Sequence, residues 1–185
     1  MKILTFLGFM VLLTSSPPTN CFPGLPVPIP VYISQPVAGS NVGLLECRLG
    51  YTINDNECGR FCYRLESRNC ISFMNAQALC KQEGGDLLEP DVCTFPLFHG
   101  LARRQRGSCG DYWVGAFRTP PALNYMTVRG AALPDNFQFW GVNQPSRTVT
   151  AGRQQACVQI ENGNGFLLND DVCANRGGFI CQQFI

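Results

Sequence analysis

Apolar positions along the chain fall into segments of different period. Residues 3–13 form an apolar run, interrupted by Thr5, behind Met1 and Lys2 and ending at Thr14, Ser15 and Ser16. Pro17, Pro18, Pro23, Pro26, Pro28, Pro30 and Pro36 then break any pattern. Prolines so spaced remove backbone donors and fix φ, which excludes a helix or a central strand and leaves an extended, polyproline-like stretch. Helical spacing sets in at Phe73, Ala76, Leu79 and Cys80. It predicts a helix over 75–82, stopped by Gly84 and Gly85. A second helix is predicted over 94–106. Beyond it, brief apolar runs at 112–116, 156–160, 165–168 and 178–184 stand in a background rich in Gly, Asn and Pro, the mark of short strands joined by long loops. Helices first and loop-rich strands after give an α+β class. Residues 115–155 show little regular pattern, and a loop region that long is usually functional or pinned by covalent or ionic links.

The N-terminal run has the shape of a secretory signal peptide, taken as 1–20 with cleavage between 16 and 21, and it is too short for a membrane anchor. Residues 21–43 read as a Pro-rich linker and 44–185 as the folded domain. No second apolar stretch reaches about twenty residues, so no membrane span is expected. The expectation is a secreted, extracellular protein. Secretion sets the meaning of the 11 cysteines, which in an oxidising compartment read as disulfides. Cys21 stands apart from the rest. The other ten, Cys47, Cys58, Cys62, Cys70, Cys80, Cys93, Cys109, Cys157, Cys173 and Cys181, are enough for five bridges.

Charge and histidine content narrow the function. Fourteen basic residues against 13 acidic ones leave no sustained basic surface for nucleic acid or anionic membrane. His99 is the only histidine, and no nucleophile motif accompanies it, so it reads as an ordinary helix-face residue and no enzyme is expected. Arg103, Arg104 and Arg106 read as the solvated end of the second helix, where cations favour the dipole.

The cysteine spacing and its flanking residues resemble one family, the C-type lectin-like domain, over residues 47–182. Cys47, Gly50 and Tyr51 resemble its opening, and Cys62 and Tyr63 the close of its first hairpin. Phe73, Ala76, Cys80, Gly84, Gly85 and Leu87 resemble its first helix and exit, with Phe73 in place of a usual Trp. Trp113, Val114, Gly115 and Ala116 resemble its core strand. Trp140 and the tripeptide Gln144, Pro145, Ser146 resemble its ligand loop. Cys157, Asn169, Asp170, Cys173, Phe179, Ile180 and Cys181 complete the order. The resemblance implies a fold of two helices on small antiparallel sheets with a long loop region, stapled by Cys80–Cys181 and Cys157–Cys173. Cys93 and Cys109 flank the second predicted helix and could pair across its ends. Cys47, Cys58, Cys62 and Cys70 would then form two N-terminal bridges, with three pairings open.

The resemblance also implies a ligand site. In sugar-binding members a calcium ion between the tripeptide and the strand of Asn169 and Asp170 grips two vicinal sugar hydroxyls. Carried over, both the calcium ligands and the sugar contacts are Gln144, Ser146, Gln155, Asn169 and Asp170, with Pro145 cis. Only Asp170 among them brings full charge, and calcium affinity follows charged ligands, so binding is expected to be weak. Leu168 stands where the family has Trp. Tyr125, Phe137 and Phe139 could stack on a sugar or build the loop core. Two functions stay open: a protein binding carbohydrate on the long-loop face, or a structural or extracellular-matrix scaffold using the same domain for protein contacts.

Overall fold

The computed structural model describes residues 46–105 and 107–185. These lie in the second of two compact units, Asn41–Ile185. The signal peptide, the Pro-rich linker, Cys21, the expected domain start at Leu44, and Arg106 lie outside the described residues.

Ten strands and two helices follow in order: β1 Thr52–Asn56, β2 Gly59–Ile71, α1 Phe73–Gln82, β3 Asp86–Leu87, α2 Phe95–Arg104, β4 Tyr112–Phe117, β5 Tyr125–Thr127, β6 Ala132–Leu133, β7 Val149–Thr150, β8 Arg153–Glu161, β9 Leu167–Val172 and β10 Gly177–Phe184. The runs at 112–116, 156–160 and 178–184 lie in β4, β8 and β10, and the run at 165–168 enters β9 only with Leu167 and Leu168. α1 begins at Ser72, whose side chain faces the Asn75 N–H as an N-cap. α2 ends at Arg104, with Gln105 as its C-cap. Its start is set by the Asp91 carboxylate, which accepts the Cys93 and Thr94 N–H groups at 2.8 Å each, and by Pro96 in the first turn.

The main path of the sheet runs β1-β2-β10-β4-β5-β6, with β8 also on β4 and carrying β9 and β7. All pairings are antiparallel except β10 with β4, where Phe179 stands beside Trp113. That parallel pairing brings the last strand to the centre of the sheet. Strand β4 explains why two cores can exist. Its side chains alternate, so Tyr112, Val114 and Ala116 enter a cluster with Phe95, Phe98, Ile160 and Ile180, while Trp113 enters another with Phe73, Ala76, Leu87 and Phe179. Phe73 meets the Trp113 indole edge-on at 5.9 Å, and the indole N–H donates to the Ile71 carbonyl at 2.9 Å. The usual Trp is thus replaced by a smaller ring that still packs on a buried one.

Five disulfides close the fold: Cys47–Cys62, Cys58–Cys93, Cys70–Cys109, Cys80–Cys181 and Cys157–Cys173. The pairing of Cys93 with Cys109 across α2 is corrected. Each end of α2 is instead tied to the first hairpin, Cys93 to Cys58 beside its turn and Cys109 to Cys70 near the end of β2. The reason is the length of β2: its 13 residues reach from one flank of α2 to the other, so each helix end finds a nearer partner on the strand.

Candidate functional site

The loop region is anchored on β9. Leu168 donates its N–H to the Phe139 carbonyl at 2.9 Å and accepts the Gly141 N–H at 2.8 Å. Phe139 stacks on Phe95 with centroids 4.5 Å apart, and Phe137 packs on the same core. Both aromatics therefore serve as loop core. His99 sits beside them on α2, with Nε2 3.1 Å from the Gly165 carbonyl.

Asp170, two residues beyond Leu168, is fully buried. Residues 144–148 wrap around it. The Gln144–Pro145 peptide is cis and Arg147 holds a left-handed φ of 55°. In that conformation two successive backbone N–H groups converge on one carboxylate. Ser146 N–H donates to Asp170 Oδ1 and Arg147 N–H to Oδ2, each at 2.7 Å. Tyr125, at the start of β5, gives its hydroxyl to Oδ2 at 2.7 Å. The Ser146 hydroxyl lies 3.3 Å from Oδ1 and donates to Gln155 Oε1 at 2.6 Å. Thr148 donates to the same Gln155 oxygen at 2.6 Å. Gln144 Oε1 lies 2.9 Å from the Ser146 N–H.

Arg118 follows β4 directly and is 5% exposed. It donates to the Tyr125 hydroxyl at 3.2 Å, the Ala122 carbonyl at 3.1 Å and the Gln155 carbonyl at 2.8 Å. Arg147 pairs with Asp135 and donates to the Leu123 carbonyl at 2.9 Å. Both guanidinium groups stand near the Tyr125 ring, Arg118 at 5.9 Å and Arg147 at 5.5 Å from its centre. Burial pushes the Tyr125 phenol well above its ordinary pKa, and the bond to Asp170 and its charge add to that, against a smaller opposing effect of Arg118. The phenol therefore stays a proton donor throughout the physiological range.

Four of the five candidate residues meet: Gln144, Ser146, Gln155 and Asp170. Asn169, next along β9, pairs by backbone with Gln159, and its side chain makes no hydrogen bond to the other four among the described residues. Asp171 turns elsewhere, accepting from Val172 N–H at 2.7 Å and from the Asn175 amide. Tyr125, expected as a ring for a sugar or for the loop core, joins the network through its hydroxyl instead, and Arg118, Arg147, Thr148 and Asp135, which were not among the candidates, complete it.

A calcium ion needs six to eight oxygens turned toward one point. Here the carboxylate already accepts from two N–H groups and a phenol, both glutamine oxygens are taken, and the other nearby charges include two guanidinium groups. No cluster of three or more His, Cys, Asp or Glu able to hold a metal exists among the described residues. So arranged, these side chains do not fit calcium.

A cavity of about 430 Å³ adjoins the network, lined by Asn124, Tyr125, Met126, Leu133, Pro134 and Asp135 among others. Asp135 keeps more than half of its side chain exposed while paired to Arg147, and Met126 is nearly half exposed. The wall thus combines a charged acceptor, an amide and apolar surface.

A disulfide-stapled α+β domain with this loop architecture defines a non-enzymatic binding or scaffold module, with the C-type lectin-like fold. The family model described as "Lectin C-type domain" matches residues 69–183, and the chain belongs to the C-type lectin family. A lectin of Polyandrocarpa misakiensis is 27% identical over 120 residues, covering 64% of this chain and 93% of its own. Among solved structures, an SPL-1–GlcNAc complex superposes with a TM-score of 0.61 at 18% identity, over 75% of this chain and 95% of that one. A calcium-independent type II antifreeze protein superposes at 0.58 and 18% identity, over 75% and 94%. One fold therefore accompanies quite different ligands, and the site has to decide between them. No helix among the described residues is long and apolar enough to cross a membrane.

Proposed function

We propose that this is a secreted C-type lectin-like protein that binds carbohydrate on its long-loop face, through direct hydrogen bonds from side chains and without calcium-held hydroxyls. The observation that carries this reading is the cavity beside β5 and β6. A saccharide offers hydroxyl donors on its rim and C–H groups on its faces. Asp135, fixed by Arg147, and Asn124 supply the polar partners, and Met126 and Pro134 the apolar ones. Most such sites combine a few placed polar groups with apolar lining in this way. Kinship with a lectin supports the same reading, and the signal-like N-terminus and five disulfides support secretion.

A glycan array run in calcium and again in chelator tests it. The expected result is binding to a defined set of glycans that survives the chelator and falls at least tenfold in Asp135→Asn. Loss of binding in chelator would return the site to calcium chemistry. A folded protein that binds no glycan would support the second reading, the structural or matrix scaffold. That reading has its own observation: Leu123, Val142 and Val149 of the loop region are each more than half exposed, and a protein partner would cover such an apolar rim.

A further inference from the structure

We infer that Arg118 is a built-in cation of the loop site: with Tyr125 it neutralises Asp170, holds the loop face in shape, and excludes calcium from a place the fold otherwise gives to the ion.

A buried carboxylate without a counter-charge is costly, and truncating one partner of a buried charge pair leaves the other uncompensated. Asp170 is fully buried and makes no direct salt bridge among the described residues. Arg118 is nearly as buried, and its guanidinium donates to a phenol and two carbonyls, with no carboxylate among its acceptors in the described residues. Each buried charge lacks a direct partner, and one hydroxyl joins them. Tyr125 accepts from Arg118 at 3.2 Å and donates to Asp170 at 2.7 Å. The charges therefore balance through the phenol. Arg147 is balanced separately by Asp135 on the exposed side. The assembly already sums to zero formal charge, two positive groups against two negative.

Calcium entering this assembly would meet two guanidinium groups. It would also have to displace the Ser146 and Arg147 N–H groups and the Tyr125 hydroxyl from the single carboxylate. Those donors come with the fold, whereas the ion would have to shed water for neutral oxygens. Arg118 also performs an ion's mechanical task. Its guanidinium draws together the carbonyl of Ala122, the hydroxyl on β5 and the carbonyl at the start of β8, so one planar group fixes three chain segments. Ion independence of this kind holds whatever ligand the loop face takes.

Unfolding midpoints and terbium luminescence test the assignment on the secreted, disulfide-intact protein. Tyr125 lies beside the carboxylate, so terbium bound there would be sensitised by its phenol. The wild type is expected to show the same midpoint in millimolar calcium and in chelator, and no terbium signal that calcium displaces. Arg118→Gln removes the cation. Its midpoint should fall in chelator and be raised again by calcium, with a displaceable terbium signal appearing. Arg118→Lys keeps the charge and should remain indifferent to both ions. Should Arg118→Gln fail to fold alone, the pair Arg118→Gln with Asp170→Asn removes both charges together, and it should fold with a smaller midpoint loss than the two single losses combined. A wild type stabilised by calcium, or displaceable terbium in the wild type, overturns the assignment. So does an Arg118→Gln variant as indifferent as the wild type, or strictly additive losses in the pair.

Discussion

Arg64 on β2 reaches Glu83, the residue that ends α1, at 2.7 Å. Tyr51 donates its hydroxyl to the same Glu83 oxygen at 2.7 Å, and the Arg64 guanidinium lies 5.7 Å from the Tyr51 ring centre and 5.5 Å from that of Phe179. One carboxylate thereby joins the first hairpin, the first helix and the last strand. Its neighbours set its titration. Burial alone would raise the Glu83 carboxyl, but the hydrogen bonds from Tyr51 and Arg64 and the Arg64 charge outweigh it and hold it below its ordinary value.

The pH dependence follows in sign. A lowered folded pKa gives stability that is complete above the ordinary carboxylate value and is lost as pH falls through the folded one. Tyr51 works at the other end. Burial first, then Glu83, pushes its phenol up to about 12, so its contribution is complete below the ordinary phenol value and lost as pH rises through about 12. Glu83→Gln should cost about 1–3 kcal/mol at neutral pH and flatten the acid limb of the stability profile. Tyr51→Phe should flatten the alkaline limb. Asp111 and Glu161, both raised chiefly by burial, act oppositely in acid, so the comparison is between variant and wild type by denaturant unfolding from pH 3 to 11. An acid limb of unchanged slope in Glu83→Gln would contradict the assignment.

Gly85 passes so close to β10 that a Cβ there would overlap the Gln182 carbonyl, a backbone group that cannot swing away. Gly85→Ala should therefore cost about 1–3 kcal/mol, a drop of about 2–4 °C in midpoint for each kcal/mol in a domain of this size. Gly163→Ala, where a Cβ meets nothing within 4 Å and φ is not positive, should leave the midpoint nearly unchanged. Equal effects at the two positions would show that the approach of α1 to β10 is looser than described.

Peptide mapping under non-reducing conditions should recover Cys58 with Cys93 and Cys70 with Cys109, and no peptide joining Cys93 to Cys109. Replacing both cysteines of Cys80–Cys181, which closes a separation of 101 residues, should cost about 1 kcal/mol more than replacing those of Cys70–Cys109, which closes 39, because the longer loop regains more freedom when unfolded. A larger loss from the shorter bridge would mean that the hairpin-to-α2 ties carry native packing as well as chain restraint.

Legibility in the sequence followed the strength of the local pattern. Trp113, Val114, Val158, Ile160, Phe179 and Ile180 lie in the apolar runs read as short strands, and all six are buried, though divided between two clusters that a run of apolar letters cannot tell apart. The first helix was readable from its spacing and its glycine stop, and the second was expected at 94–106, where α2 lies at Phe95–Arg104. The bridges to Cys93 and Cys109 were not, because they depend on how far β2 extends, and its charged and polar residues, from Arg64 to Asn69, hide a strand of 13. The loop network was half legible. Gln144, Ser146, Gln155 and Asp170 could be named through the family likeness. Tyr125 could be named only as a ring, and Arg118 and Arg147 not at all, since they act through a buried arrangement that no spacing encodes. The one available signal was Arg118 itself, a charge placed directly after the apolar run that forms the buried strand β4.

The order of the sheet has a consequence for handling the molecule. Cys47 is bonded to Cys62, and Cys62 stands opposite Gln183 on β10, so the first and last described segments share one corner. The cavity of Asn124 and Asp135 lies at the other margin, beside β5 and β6. A tether attached at Glu46 or at Ile185 should leave the loop face pointing away from the support. Joining Ile185 to Glu46 of the described domain with a short peptide and reopening the chain at the exposed Gly163 should give a circular permutant that keeps all five bridges. Immobilised arrays of this domain could then be oriented by genetic fusion alone, with no chemical coupling near the loops.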